Sequence, residues 1–346
     1  MNAPPAATAP FAAPAGAERR LNTDERHRTA FWREALAVSG SVTPFVFQRV
    51  LVFGLVSLVA TGLVFFARAT DRLDLTMEVA PYELGGAVLA LLLVLRTNAG
   101  YDRWWEARKL WGGIVNQSRN LAIVALAYGP GDAAWRARLV RWTAAFPHAA
   151  RAALRGEEMP DEVAALVGSE SVAWLARSPH LPSAVALGVG HLLREAEGRM
   201  DRFAFLQAEQ ERGRLIDHVG GCERILKTPL AYVYAIKVRQ FIALYLVALP
   251  FGVLHEVERW WLAPLLTMMV AYPLLALDQI SIELQNPFSR RHLSHLPLGD
   301  ICATIERNVL GLLDTSVADG PAWPPTDGTP PAEAARPRVV RGVAGG

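Results

Sequence analysis

The sequence predicts an all-α integral membrane protein with about four transmembrane helices and a cytosolic helical body. Of its 346 residues, 52% are hydrophobic and 20% are charged, and the mean hydropathy is +0.20. This balance is unusual for a soluble domain, so part of the apolar surface must face lipid. The apolar residues are concentrated in four runs, and no alternating strand pattern of convincing length separates them.

The four runs predict membrane spans at about residues 48–67, 82–100, 238–254 and 259–279. Residues 50–67 carry no charge and are long enough to cross about 27 Å of hydrocarbon. Residues 84–95 reach only about 18 Å before Arg96 interrupts them, so we expect other protein, rather than lipid, on the inner side of this helix. Residues 255–259 are a connection short enough to make the last two spans an antiparallel pair.

The orientation follows from charges beside the spans. The first span is preceded by basic residues, among them Arg19, Arg20, Arg26, Arg28, Arg33 and Arg49. The connection after it is richer in acidic residues, so both termini are expected in the cytoplasm of a bacterial inner membrane. Residues 101–237 and 280–316 then form the cytosolic helical region of one domain, 18–316. The Pro- and Ala-biased tails, 1–17 and 317–346, are predicted to be disordered.

Composition also excludes several functional classes. The net charge of +2 argues against a partner nucleic acid. Cys222 and Cys302 are too far apart in sequence to form a close-spaced zinc or disulfide pair. The chain has no phosphate-binding glycine loop, no metal-binding His/Glu helix and no nucleophile elbow. We therefore predict neither an enzyme nor a bound metal or cofactor.

Four longer segments carry a family resemblance. They are residues 96–112 (RTNAGYDRWWEARKLWG), 221–230 (GCERILKTPL), 278–288 (DQISIELQNPF) and 297–308 (PLGDICATIERN). The first resembles the segment after the pore helix of bacterial bestrophins, and the others match the same family. The likeness extends over about residues 30–312.

The resemblance implies a homopentamer around one central pore, with an apolar neck in the membrane and a second constriction in the cytosolic part. Bestrophins of animals conduct chloride and other anions, whereas some bacterial members prefer cations. We therefore expect passive conduction of small inorganic ions, with the sign of the ion left open. The alternative is a membrane carrier or a cofactor-bearing electron-transfer protein of the same topology.

By this resemblance, the neck is formed by Ala87, Leu91 and Leu95, whose i, i+4, i+8 spacing sets them on one helix face. Rings of leucine would close a pore by dewetting. Taken alone, an apolar stripe on a membrane helix could simply serve packing, but the family segment directly after it favours pore lining. Ala87 is smaller than the bulky residue usual in the family. The cytosolic aperture is expected at Leu206, with Phe205 in reserve, unless Leu206 is a core leucine.

The remaining motif residues are expected to have structural or subunit-contact roles: Arg96, Asp102, Arg103, Trp104, Trp105, Glu106, Glu283, Asn286, Pro287 and Phe288. The charged residues after the neck should form salt bridges between subunits or, alternatively, contact permeating ions. Glu283 should be a structural acceptor for neighbouring backbone. Animal bestrophins bind calcium with acidic residues after Asn-Pro-Phe, but here Arg290 and Arg291 lie there and would repel the ion.

Overall fold

The computed structural model describes residues 31–38, 40–70, 75–257 and 259–317, and these residues form helices and connections without a β-strand. In chain order the helices are α1 Phe31–Ala35, α2 Thr43–Ala69, α3 Ala80–Tyr128, α4 Ala133–Arg155, α5 Asp161–Val167, α6 Ser169–Leu175, α7 Leu181–Glu195, α8 Arg202–Lys227, α9 Tyr232–Glu256, α10 Leu262–Glu283 and α11 Leu298–Val317. The predicted tails lie outside the described residues, apart from Val317 at the end of α11.

Four helices, α2, α3, α9 and α10, are long and apolar enough to cross a membrane. They confirm the four predicted spans and the all-α fold. Each helix extends beyond its apolar run, most of all α3, which continues through the polar and aromatic residues after Arg96. Helices α9 and α10 pack against each other, as predicted for an antiparallel pair. They continue through Pro250 and Pro273.

The chain divides into two compact units. Unit 1 comprises the described residues up to Tyr101 together with Leu230–Gln285. Unit 2 comprises Asp102–Pro229 and the described residues from Asn286 onwards. Helix α3 thus contributes its first part to unit 1 and the remainder to unit 2.

Unit 1 is held together by close helix contacts at small residues. A β-carbon at Gly54 of α2 would lie 2.6 Å from Met268 Sδ of α10, and one at Gly252 of α9 would lie 2.7 Å from the Tyr82 ring. The buried Thr267 hydroxyl donates to Ser57 Oγ at 3.0 Å. Small side chains and interhelical hydroxyl bonds are the usual contacts of membrane helices, because burial from lipid supplies little hydrophobic driving force.

Unit 2 has a large hydrophobic core, to which α3, α4, α7, α8 and α11 all contribute. Helix α4 begins where Asp132 Oδ1 accepts hydrogen bonds from the backbone N–H groups of Ala134 and Trp135. The Trp135 ring is fully buried, and its Nε1 donates to the Leu192 carbonyl at 2.7 Å. The helix ends at Gly156, whose φ of 64° favours glycine.

Candidate ion pathway

The face of α3 that carries the predicted neck is open. Ala87, Leu91 and Leu95 are all exposed, with exposed fractions of 60% for Leu91 and 53% for Leu95. On the opposite face Leu89 and Leu93 are buried in the core of unit 1. The chain's own core therefore leaves this apolar stripe uncovered, and its role as a pore lining stays a prediction.

Contacts from α9 set the rotation of α3. Tyr234 Oη donates to the Leu92 carbonyl at 3.2 Å. A β-carbon at Gly86 would lie 2.9 Å from Tyr245 Oη, so glycine allows this side of α3 to lie close to α9. These contacts keep the stripe of Ala87, Leu91 and Leu95 turned away from the core of unit 1.

Directly after the stripe, Arg96 forms a buried ion pair with Asp278 of α10. The side chains of Arg96 and Asp278 are 1% and 3% exposed, and Arg96 Nη1 donates to Asp278 Oδ1. Arg239 Nε donates to the other carboxylate oxygen at 3.1 Å. The salt bridge that the sequence led us to expect between subunits is therefore made within one chain in the case of Arg96. Asp278 compensates the buried charge of Arg96, which would be costly alone, whereas the Arg239 side chain is 48% exposed.

Sequence reasoning did not assign Asp278 or Arg239 to the site. A signal was available, because an arginine inside an apolar span needs a partner from a neighbouring helix. Asp278 is the first residue of the family motif at 278–288, and Arg239 lies in the third predicted span. Folding joins Asp278 to Arg96 across 182 positions of sequence.

Glu283, at the end of α10, was predicted to accept hydrogen bonds from neighbouring backbone. Its side chain is 5% exposed and accepts from Gln279 Nε2 at 2.8 Å. This hydrogen bond comes from a side-chain amide, and the predicted role toward backbone stays a prediction. Gln279 Oε1 in turn accepts from Arg49 Nη1 at 3.5 Å.

In unit 2, the segment after Tyr101 binds the end of α8. Arg103 donates to the carbonyls of Thr228 and Ile225, and a cation at the carboxyl end of a helix stabilises those unpaired carbonyls. Glu106 pairs with Arg224 of α8. Trp104 Nε1 donates to the Ser294 carbonyl at 2.7 Å. Asp102 and Trp105 are exposed.

The Asn286-Pro287-Phe288 segment closes a loop within unit 2. Asn286 Oδ1 accepts from the Phe288 N–H at 3.2 Å, and the Leu296 N–H donates to the Pro287 carbonyl at 2.7 Å. The Phe288 ring is fully buried, and Arg155 Nε donates to its carbonyl at 3.0 Å. The segment therefore has a structural role in unit 2.

The residues after Phe288 include the exposed Arg290 and Arg291. Among the described residues, no group of three His, Cys, Asp or Glu side chains is arranged to hold a metal ion. His295 Nδ1 lies 2.6 Å from the His292 carbonyl, so one of its ring nitrogens is occupied by backbone.

The two candidates for the cytosolic aperture differ in burial. Leu206, near the start of α8, is 54% exposed. Phe205 is partly buried and packs against the core of unit 2. Leu206 is therefore free to face a pore or another chain, whereas Phe205 already has a packing role.

Unit 2 also buries ionisable groups. His148 of α4 is 2% exposed; its Nε2 lies 2.8 Å from Glu306 and its Nδ1 lies 3.8 Å from Glu162. Burial lowers the pKa of His148, against the opposing effect of the two carboxylates. Burial also raises the pKa of Cys222 and of Cys302 to about 12. Both cysteines remain unreactive thiols inside the core, as expected for small buried side chains.

Comparison with known proteins places the chain among membrane channels. The sequence model of a family described as Bacterial/Fungal Bestrophin protein matches residues 24–311. A voltage-dependent anion channel-forming protein of Ralstonia nicotianae is 33% identical over 82% of this chain and 92% of its own length. A protein of the same description from Nostoc is 31% identical over 82% of this chain and 91% of its own.

Solved structures of bacterial bestrophins have a similar fold. A bacterial bestrophin homologue from Klebsiella pneumoniae, crystallised as a variant, is similar with a TM-score of 0.71. It is 26% identical, and the match covers 77% of this chain and 98% of the homologue. A second crystal structure of the Klebsiella homologue matches with a TM-score of 0.71 at 25% identity, over 78% of this chain and 98% of the other.

Proposed function

This chain belongs to the bacterial and fungal bestrophin family, and from that premise we propose that it forms an ion channel for small inorganic anions such as chloride. The family indicates a membrane channel rather than an enzyme. The observation that carries the proposal is the uncovered apolar stripe of α3, directly followed by the buried charges of Arg96 and Asp278.

The stripe has the properties required of an apolar neck. Leu91 and Leu95 are separated by one helical turn on a face that the chain's own core leaves open. When several copies surround an axis, such leucines form rings in which water and hydrated ions find no polar partner. A pore of this kind opens by small increases in width, because wetting of an apolar constriction depends steeply on its diameter.

One chain supplies only one wall of such a pore, so the proposal requires an oligomer. We propose a homopentamer, because the resemblance of the motif segments to bestrophins implies five subunits around one pore. Light scattering of the detergent-solubilised protein should give a protein mass about five times the 37.8 kDa of one chain. A monomer mass under gentle conditions would contradict both the pentamer and the pore.

The proposed ion sign rests on two observations. The relatives from Ralstonia and Nostoc are described as anion channel-forming proteins. In unit 1 one carboxylate, Asp278, pairs with two cations, Arg96 and Arg239, directly after the stripe. This local excess of positive charge favours anions near the end of the stripe.

The proposed location is a bacterial inner membrane with both termini in the cytoplasm. The helices α2, α3, α9 and α10 support a membrane protein, and the basic residues beside the spans support this orientation. Membrane lipid would then contact the exposed apolar faces of α2, α9 and α10.

The direct test is the reversal potential of current through purified protein in a planar bilayer under a potassium chloride gradient. An anion channel reverses near the chloride equilibrium potential, and replacement of chloride by a large organic anion on one side should shift the reversal potential. Reversal near the potassium potential would assign a cation channel instead. Absence of current from a verified pentamer would overturn the channel proposal.

A further inference from the structure

A cavity of about 830 Å³ lies in unit 2 between α4, α7 and the corner where α5 meets α6. Its volume is within the range of sites that bind small molecules. None of its lining residues belongs to the proposed neck or aperture. Its side chains combine aromatic rings with positive charge.

The aromatic wall depends on a glycine. A β-carbon at Gly188 would lie 2.1 Å from the Trp142 ring, so only glycine lets this ring lie against the backbone of α7. The Trp142 and Trp174 rings are tilted, with centroids 6.1 Å apart, and His191 lies edge-on to Trp174 at 6.3 Å. The result is a continuous aromatic surface contributed by three helices.

The cavity is lined by charged side chains of both signs. Arg138 and Arg141 line it, along with one carboxylate, Glu170. Arg138 Nη2 donates to Glu195 Oε2 at 2.7 Å. Arg141 is exposed and makes no hydrogen bond or ion pair with the described part of the chain. Its planar fork is therefore available to an incoming anion.

We propose that this cavity binds a small planar aromatic anion, a ring system that carries one phosphate or carboxylate group. The ring would lie against Trp174 and Trp142, because flat surfaces bury large areas with little loss of conformational entropy. The anionic group would meet Arg141, and the hydroxyls of Ser169 and Ser171 offer further donors. The residues that line this site are separate from those of the proposed neck and aperture.

The test is calorimetric titration of the full-length oligomer with two probes that separate the two sources of the anion. Adenosine monophosphate supplies a ring and a phosphate, and indole-3-acetate supplies a ring and a carboxylate. Adenosine and inorganic phosphate supply only the halves of the first probe. At least one complete probe should saturate, and each half should bind at least tenfold more weakly.

Two variants probe the two halves of the site. Arg141→Gln and Trp174→Leu should each weaken the probe that binds by tenfold or more, and both residues are exposed enough for the fold to survive the change. Arg194→Gln removes an exposed arginine of α7 that does not line the cavity, and it should bind as the unmodified protein does. Failure of both probes to saturate, or equal affinity in all three variants, would overturn the proposal.

Discussion

The two units of this protein distribute their apolar and charged side chains in opposite ways. Unit 1 exposes large apolar residues such as Leu63, Phe66 and Leu91, while Arg96 and Asp278 are buried. Unit 2 fully buries large apolar side chains such as Trp111, Trp135 and Phe146. Its exposed surface includes ion pairs such as Arg138 with Glu195.

The contrast fits our prediction that unit 1 contains the membrane spans and that unit 2 belongs to the cytosolic helical region. In a bilayer a leucine exposed to lipid carries no free-energy penalty, whereas a charged side chain must be paired inside the protein. In water the burial of apolar side chains stabilises the fold, and exposed ion pairs contribute little. The same residue type therefore has different consequences in the two units, and substitutions can measure the difference.

The largest effect is expected at Asp278. Asp278→Asn leaves Arg96 and Arg239 without their shared carboxylate, and an uncompensated buried charge costs about 3–5 kcal/mol. Arg96→Met should be milder, because Arg239 still pairs with Asp278. Thermal unfolding and size-exclusion profiles of the solubilised variants would check this order. Equal stability of Asp278→Asn and the unmodified protein would show that the pair has no structural role.

A matched pair of leucines compares the two units directly. Leu139 is fully buried in unit 2, whereas Leu63 of unit 1 is 54% exposed. Leu139→Ala should cost about 2–5 kcal/mol, because it leaves a cavity. Leu63→Ala should change stability by less than about 0.5 kcal/mol, as is usual for exposed positions. Similar losses of stability in Leu139→Ala and Leu63→Ala, measured as shifts of the thermal midpoint, would contradict the proposed difference between the units.

A smaller effect concerns acidification. Burial holds the pKa of His148 below its ordinary value of 6.5, so the unfolded chain takes up the proton first. The contribution of neutral His148 to the free energy of unfolding is complete above pH 6.5 and declines as the pH falls below that value. The hydrogen bond from Arg151 lowers the pKa of Glu162 below 4.5, which extends the loss of stability to still lower pH.

His148→Gln should therefore flatten the fall in thermal midpoint between pH 6.5 and pH 4.5. The glutamine amide can still donate to Glu306, so the core should remain packed. Thermal scans across this range for the variant and the unmodified protein would decide. An equally steep decline in both would assign the acid sensitivity to other groups.

The sequence predicted the spans well because their signal is local. A window of uncharged apolar residues identifies a membrane helix without knowledge of its neighbours. The polar continuation of α3 to Tyr128 made its end harder to place, since apolar content no longer marks the helix there.

Features that depend on contacts between residues far apart in the chain could not be predicted from the sequence. The partner of Arg96 is remote in the chain, and the choice between Leu206 and Phe205 depends on a rotation of one residue on α8. The aromatic cavity arises where Gly188 meets Trp142. No local sequence pattern around Gly188 or Trp142 predicts this contact.

The most direct test of the proposed neck compares Leu91→Ala with Leu63→Ala in single-channel recordings. The two leucines are alike in the isolated chain, at 60% and 54% exposed, but only Leu91 lies on the stripe. If Leu91 lines a dewetting constriction, Leu91→Ala increases conductance or open probability, whereas Leu63→Ala leaves both unchanged. If intact pentamers of the two variants conduct alike, Leu91 does not line the pore and the neck lies elsewhere.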